Sequence, residues 1–304
     1  MDKRINQKKE KNIKENKKFK MLNPKTDIVF QMLFSSVNPE ITQGLISSMI
    51  DEKITSIELD LNKQLIKNTV DDKIGILDLR AKINNSIECE IEMQMLYAKN
   101  FIPRLLYYWS KIYSQQLKEG HHYDELNKAI CIAIINEKIP NLKELQAHTK
   151  WQIREEKTHT KILTDKLEIH IIEIPKAIKE YRNNKGNEVL QWMMFLNEPE
   201  SMEVEEIMKE NKEIEQAKIT LRELSKEEEN QRIAELREKH ILDTQDIYET
   251  GIERGRIEGE KMGKKEEKIN ITKKLLDMNV TIEKIVEITG LTKEEIEKIK
   301  NENK

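Results

Sequence analysis

The residues whose types and spacing could do chemistry lie in GILDLRAKINNSIECEIEMQ, residues 75–94. Read as two strands around a tight turn, this stretch puts Glu88, Glu90 and Glu92 on one face and Ile87, Cys89, Ile91 and Met93 on the other. Pairing Ile83 with Ile87 across Asn84, Asn85 and Ser86 sets Ala81 against Cys89, Leu79 against Ile91 and Leu77 against Met93, an unbroken apolar face. On the opposite face Lys82 meets Glu88 and Arg80 meets Glu90, opposite-charge pairs that support a sheet. Asp78 then falls opposite Glu92, with no basic residue of the hairpin facing either. A slip of one residue would oppose Leu77 to Glu92 and spoil both faces.

Two carboxylates directly across a sheet, about 5 Å apart at Cβ, repel each other. Three arrangements make such a pair tolerable: one acid is protonated, a divalent cation sits between them, or the edge is solvated and the repulsion screened. Gln94 lies two residues beyond Glu92 on the same face, where an amide could orient a water beside a metal. Under the second arrangement Asp78, Glu92 and Gln94 are the candidate catalytic set, with Asp78 and Glu92 facing the cation; the other two arrangements leave them structural.

A second pattern follows. Arg104, Tyr108, Lys111, Gln115 and Lys118 recur at helical spacing over residues 101–118, a stripe that reads as a row of phosphate contacts or as a solvated helix face. His121 and His122 follow Gly120, and nothing nearby is spaced to complete a zinc site, so turn chemistry is expected there. His148, His159 and His170 are scattered and carry no assignment. No P-loop, dinucleotide-binding glycine fingerprint or Ser/His/Asp arrangement is present.

Several elements must position these residues. NPKTDIVFQMLF begins a helix near Pro24, and a second helix covers 39–50. ITSIELDLNKQL alternates as a strand, and the hairpin comes next. Residues 101–118 form an amphipathic helix that buries Ile102, Leu105, Trp109, Ile112 and Tyr113. AICIAII, residues 129–135, is a continuous apolar run, as in a strand covered on both faces. KLEIHIIEI, residues 166–174, is a further strand. Helix, three strands, helix and strand in that order predict an α/β fold with a mixed sheet, an αβββαβ core flanked by helices.

Beyond residue 188 the pattern is helical and heavily charged. Gly251, Gly255, Gly259 and Gly263 share one helical stripe. Each disfavours a helix by about 1 kcal/mol relative to Ala, so the stripe predicts close approach of a partner backbone. The last segment reads as a small helical unit turned by Gly290, with Thr292 and Glu295 as a capping box. Its third helix mixes Lys293, Lys298 and Lys300 with Glu294, Glu295 and Glu297, which favours assembly over DNA reading. The expected organisation is a disordered basic leader over 1–20, an α/β domain over 21–200, a charged helical region over 201–270 and a small helical unit over 271–304.

Composition limits the function classes. The chain of 304 residues is 36% charged and 37% hydrophobic, with a formal net charge of −3. Residues 1–20 hold nine basic and three acidic side chains, whereas 21–140 hold thirteen and sixteen. A compact part that is slightly acidic binds nucleic acid poorly without metal ions. No apolar run approaches the roughly 18 residues that span a bilayer. The N-terminus is basic without an apolar stretch, which is not a secretory signal. Cys89 and Cys131 fall in apolar strands as buried thiols, so the expectation is a cytoplasmic protein without a membrane anchor.

PKTDIVFQMLF, ILDLRAKINNSIECEIEMQ, FIPRLLYYWSKIYSQQLKEGHHYDEL and LTDKLEIHIIEIPK resemble the Rpn family of recombination-promoting nucleases, the PD-(D/E)XK nuclease family transposases. The glycine-spaced helix resembles that family's C-terminal region, so the likeness extends over about residues 21–300. It implies a restriction-endonuclease-like core that cuts DNA with Mg²⁺, or with Mn²⁺ or Ca²⁺, in recombination or mobile-element biology. By position Asp78 matches the family's core aspartate, and Glu92 and Gln94 match its Glu-x-Gln, which replaces the Glu-x-Lys of the wider superfamily. Asp27 matches an acid on the first helix that reaches the metal, directly or through water. Gln31 stands where family members often have Lys. The expected partners are DNA, through Arg104, Lys111 and Lys118, and a second copy of the chain, through the C-terminal helices. The alternative is a weak or inactive nuclease fold that serves as a DNA-binding or oligomeric scaffold.

Overall fold

The computed structural model describes residues 20–34, 39–59, 79–97 and 99–302. Two compact units divide the chain, Met1–Glu238 and Lys239–Lys304. The first is built on a six-stranded mixed sheet with helices on both faces.

Helices α1 (Asp27–Phe34) and α2 (Pro39–Met49) lead into the short strand β1 (Ile57–Leu59). The hairpin of β2 (Leu79–Ile83) and β3 (Ile87–Gln94) follows. Helix α3 (Phe101–Ser114) crosses to β4 (Ala129–Ile135), after which come β5 (His148–Trp151) and β6 (Leu167–Glu173). Strand order is β1-β2-β3-β4-β6-β5. β1, β2 and β3 pair antiparallel, β3, β4 and β6 pair parallel, and β5 returns antiparallel on the edge. The αβββαβ order and the mixed sheet expected from the sequence are both present.

The hairpin register is the expected one wherever it is described: Ile83 faces Ile87, Lys82 Glu88, Ala81 Cys89, Arg80 Glu90 and Leu79 Ile91. Its turn needs left-handed backbone at two positions, and Asn84 (φ 51°) and Asn85 (φ 59°) supply it, since short polar side chains tolerate that region. The Asn84 side chain also pins the entry to β1. Its Oδ1 accepts from the Thr55 and Ser56 backbone N–H groups at 2.8 and 3.2 Å, and its Nδ2 donates to the Lys53 carbonyl at 2.9 Å. Leu77 and Asp78, which would continue the register towards Met93 and Glu92, lie outside the described residues.

The two faces of the sheet bury different layers. Cys89, Ile91 and Met93 of β3 join Ile130, Ile132 and Ile134 of β4 under α1, α2, α4 (Ile174–Tyr181), α5 (Glu188–Asn197) and α7 (Lys212–Lys226), after the short α6 (Met202–Ile207). On the other face Cys131, Ala133, Ile135, Ile169 and Ile171 pack against Phe101 and Leu105 of α3. β4 sits between parallel neighbours with both faces covered, and all seven of its residues are buried. Each such aliphatic side chain contributes about 1.5–3 kcal/mol on burial.

Three features depart from the sequence expectations. Helix α3 stops at Ser114, so Gln115 caps it and Lys118 stands beyond its end; the five-residue stripe is not continuous. Within α3, Leu105 and Ile112 are buried as expected, while Ile102, Trp109 and Tyr113 are only half-buried. Strand β5, a four-residue polar edge, was not anticipated at all.

The second unit, beginning within helix α8 (Glu228–Asp277), closes a small core of Ile285, Leu291, Ile296 and Ile299 between α8, α9 (Ile282–Thr289) and α10 (Lys293–Glu302). Gly290, at φ 67°, terminates α9 in left-handed geometry. Thr292 and Glu295 form the expected capping box: the Thr292 N–H donates to Glu295 Oε2 at 2.8 Å and the Glu295 N–H to Thr292 Oγ1 at 3.2 Å. A Cβ added at Gly251, Gly255, Gly259 or Gly263 would meet no atom within 4 Å among the described residues. Among the described residues the glycine stripe is open surface.

Candidate metal centre

Glu92 and Gln94 lie at the C-terminal end of β3, on the face covered by α3. Alternation along β3 turns Glu90, Glu92 and Gln94 to this side, beside Cys131, Ala133 and Ile135 of the parallel neighbour β4. Glu92 is only 2% exposed and has small Ala133 as its cross-strand neighbour.

Sequence reasoning found no basic residue of the hairpin to relieve Glu92. The relief comes from a different element. Arg104, in the first turn of α3, places Nη2 at 2.7 Å from Glu92 Oε1 and 2.6 Å from Gln94 Oε1. One guanidinium nitrogen therefore takes both oxygens. The Gln94 amide is oriented by its own Nε2, which donates to the Leu96 carbonyl at 2.8 Å and turns the oxygen towards Arg104. Arg104 Nε is buried and has no hydrogen-bond acceptor among the described residues. Next along the strand, Glu90 pairs with Arg80 at 3.1 Å, as expected.

The electrostatics follow from this geometry. Burial raises the Glu92 carboxyl above its ordinary range, Arg104 pulls it back, and the nearby Glu90 adds to the rise. The carboxylate is thus only partly neutralised by the protein around it. A carboxylate oxygen and an amide oxygen converging on one cationic atom are hard donors of the kind that hold Mg²⁺, Mn²⁺ or Ca²⁺, so the residues present fit such an ion. Among the described residues no group of three or more His, Cys, Asp or Glu side chains could hold a metal. The expected third donor, Asp78, lies outside them.

The remaining expected site residues are distributed as follows. Asp27, in the first turn of α1, is engaged by Arg237, whose Nε lies 2.9 Å from both carboxylate oxygens and whose Nη2 also bonds Oδ2. Lys111 is exposed on the last turn of α3, and Lys118 is exposed beyond it. His121 pairs with Glu125 at 3.3 Å in the turn after α3, where turn chemistry was expected.

A cluster on the opposite face of the sheet had no sequence signal. Glu168, 1% exposed, receives Lys128 at 2.9 Å, Lys150 at 3.1 Å and His170 Nε2 at 2.8 Å. His170 Nδ1 in turn lies 2.8 Å from His148 Nε2. The edge strand β5 brings His148 and Lys150 to β6, so two histidines unassigned in sequence are neighbours in space.

A mixed sheet whose hairpin ends in a buried acid and an amide, followed by a crossing helix and a parallel central strand, is the layout of a restriction-endonuclease-like protein. The family model for PD-(D/E)XK nuclease family transposases matches residues 24–251, and the chain belongs to that family. No curated protein and no solved structure gives a significant match. Among the described residues no helix is long and apolar enough to cross a membrane.

Proposed function

We propose that this chain is a divalent-metal-dependent DNA endonuclease that hydrolyses phosphodiester bonds in recombination or mobile-element processes. The observation that carries the reading is the convergence of Glu92 Oε1 and Gln94 Oε1 on a single cationic nitrogen, beside a carboxylate that burial leaves under-neutralised. Glu92 and Asp78 would hold the ion, and Gln94 would add its amide oxygen or orient the attacking water. When bound, the cation polarises the phosphate and lowers the pKa of a bound water. Gln94 carries no positive charge to the transition state, so turnover is slower than with a lysine there. Asp27, held by Arg237, supports the site from α1. Lys111 and Lys118 contact phosphates on the α3 side, and Arg104 joins them once free of Glu92.

A second reading, an inactive nuclease fold that binds DNA or assembles copies of itself, is favoured by the Arg104–Glu92 ion pair, which closes the acid without a metal. The open glycine stripe on α8 supports self-association through the C-terminal helices under either reading.

Incubation with supercoiled plasmid separates the two. Nicking that requires Mg²⁺ or Mn²⁺, stops with EDTA and falls at least about a hundredfold in Glu92→Ala and Asp78→Ala supports the enzyme. An Asp78→Ala protein that cuts as well as the parent contradicts it, and a silent parent that still oligomerises supports the scaffold.

A further inference from the structure

Arg104 uses its guanidinium unlike Arg237, which meets the half-buried Asp27 in the same unit. Arg237 grips Asp27 with two nitrogens on two oxygens, the fork geometry that makes arginine–carboxylate pairs strong. Arg104 places one nitrogen between two oxygens from different side chains and leaves its Nε–H buried without an acceptor among the described residues. An arginine retained only to neutralise Glu92 would gain from the fork. The observed use is that of a point cation, at the centre of a carboxylate and amide pair suited to a hard metal ion.

Resting on the nuclease reading of this site, we propose that Arg104 is a built-in competitor of the divalent cation. It occupies the oxygen donors while the metal is absent and must leave Glu92 and Gln94 when the metal enters. Two features make the exchange feasible. The Leu96 carbonyl holds the Gln94 oxygen in place independently of Arg104, so one metal donor stays oriented after release. The Arg104 side chain is itself 22% exposed, so part of it lies at the surface, where an anionic oxygen can meet it. A DNA phosphate that draws the guanidinium away would then tighten metal binding, and by linkage the metal would tighten DNA binding by the same factor.

The test is Mn²⁺ binding, followed by the paramagnetic resonance of free Mn²⁺, to the full-length parent, Arg104→Gln and Arg104→Lys without DNA. Losing a charge-assisted hydrogen bond to the acid should tighten Mn²⁺ binding about tenfold in Arg104→Gln. Arg104→Lys keeps a competing cation and should stay near the parent. Equal or weaker binding by a folded Arg104→Gln overturns the competition alone and leaves the nuclease reading standing. No Mn²⁺ bound by parent or variants overturns that reading and this inference with it. If Arg104→Gln does not fold, the parent decides: the Arg104 Nε–H resonance should shift as Mg²⁺ is titrated in, and a resonance unmoved at Mg²⁺ saturation overturns the proposal.

Discussion

Glu92 and Glu168 are the same residue type, equally buried, on opposite faces of one sheet, yet their surroundings treat them in opposite ways. Burial works against the charge of Glu168, but hydrogen bonds from His170 and Lys128, with Lys150 behind them, bring its carboxyl down to about 2. Lys128 and Lys150 are themselves answered by Glu52 at 2.9 Å and Asp51 at 2.8 Å, so the network is closed. Among the described residues Glu92 has Arg104 alone, with Glu90 adding negative charge, and its carboxyl is raised. Burial by itself does not mark a site. The difference lies in how completely the described residues neutralise the charge that the sheet has buried.

The comparison can be broken from either side. Substituting Glu168→Gln removes the acid that two lysines share, and should lower stability by about 3 kcal/mol in urea unfolding while leaving Mn²⁺ affinity unchanged. A loss below about 1 kcal/mol would show that the network is not the closed structural unit described.

Acid should expose the same contrast. Glu168 is held at about 2 against an ordinary 4.5, so the unfolded chain binds its proton first as pH falls. Stability from this residue is complete above about 4.5 and disappears towards 2, about 3 kcal/mol in all. His148 is pushed down to about 4 from 6.5 by burial and by His170, and stays neutral where the unfolded chain has already charged. Its share is complete above 6.5 and is lost towards 4, again by about 3 kcal/mol. Urea unfolding across pH should therefore show stability falling from about 6.5 downwards. In Glu168→Gln the lower part of that fall should vanish, and an unchanged profile would contradict the assignment.

Glu92→Gln is the counterpart. The charge it removes was only partly compensated, so stability should change by less than about 1 kcal/mol, whereas Mn²⁺ binding should be lost. The smallest effect concerns the outer surface of α3. Neutralising Lys111 or Lys118 should weaken DNA binding modestly and reduce its salt-dependence slope by about one for each lysine that contacts a phosphate. An unchanged slope would remove these residues from the interface.

Sequence and structure agree where the physics is local. The hairpin register was legible because a strand's period of two lets only one pairing keep Leu79, Ala81 and Ile83 on the apolar face. The continuous apolar run of β4 announced a strand buried on both faces. Arg104 was read as part of an outward stripe because its partners, ten and twelve residues earlier, belong to a different element. Its place beside Phe101 and Leu105, on the edge of the helix stripe that faces the sheet, was the usable signal. The Glu168 network had no such signal. The groups that meet Glu168 and His170 of β6 come from a helix end, a strand entry and an edge strand too short and polar to show alternation, and the β5–β6 pairing brings the histidines together.

The central claim is that Glu92 and Gln94 form one side of a cation site that Arg104 fills in the metal's absence. A crystal structure grown with Mn²⁺, read through the metal's anomalous signal, tests it most directly. The account predicts a peak within about 2.5 Å of Glu92 Oε1 and Gln94 Oε1, with Asp78 as a further ligand and the Arg104 guanidinium withdrawn. A Mn²⁺-saturated crystal with Arg104 still bonded to both oxygens, and the ion elsewhere or missing, would contradict it.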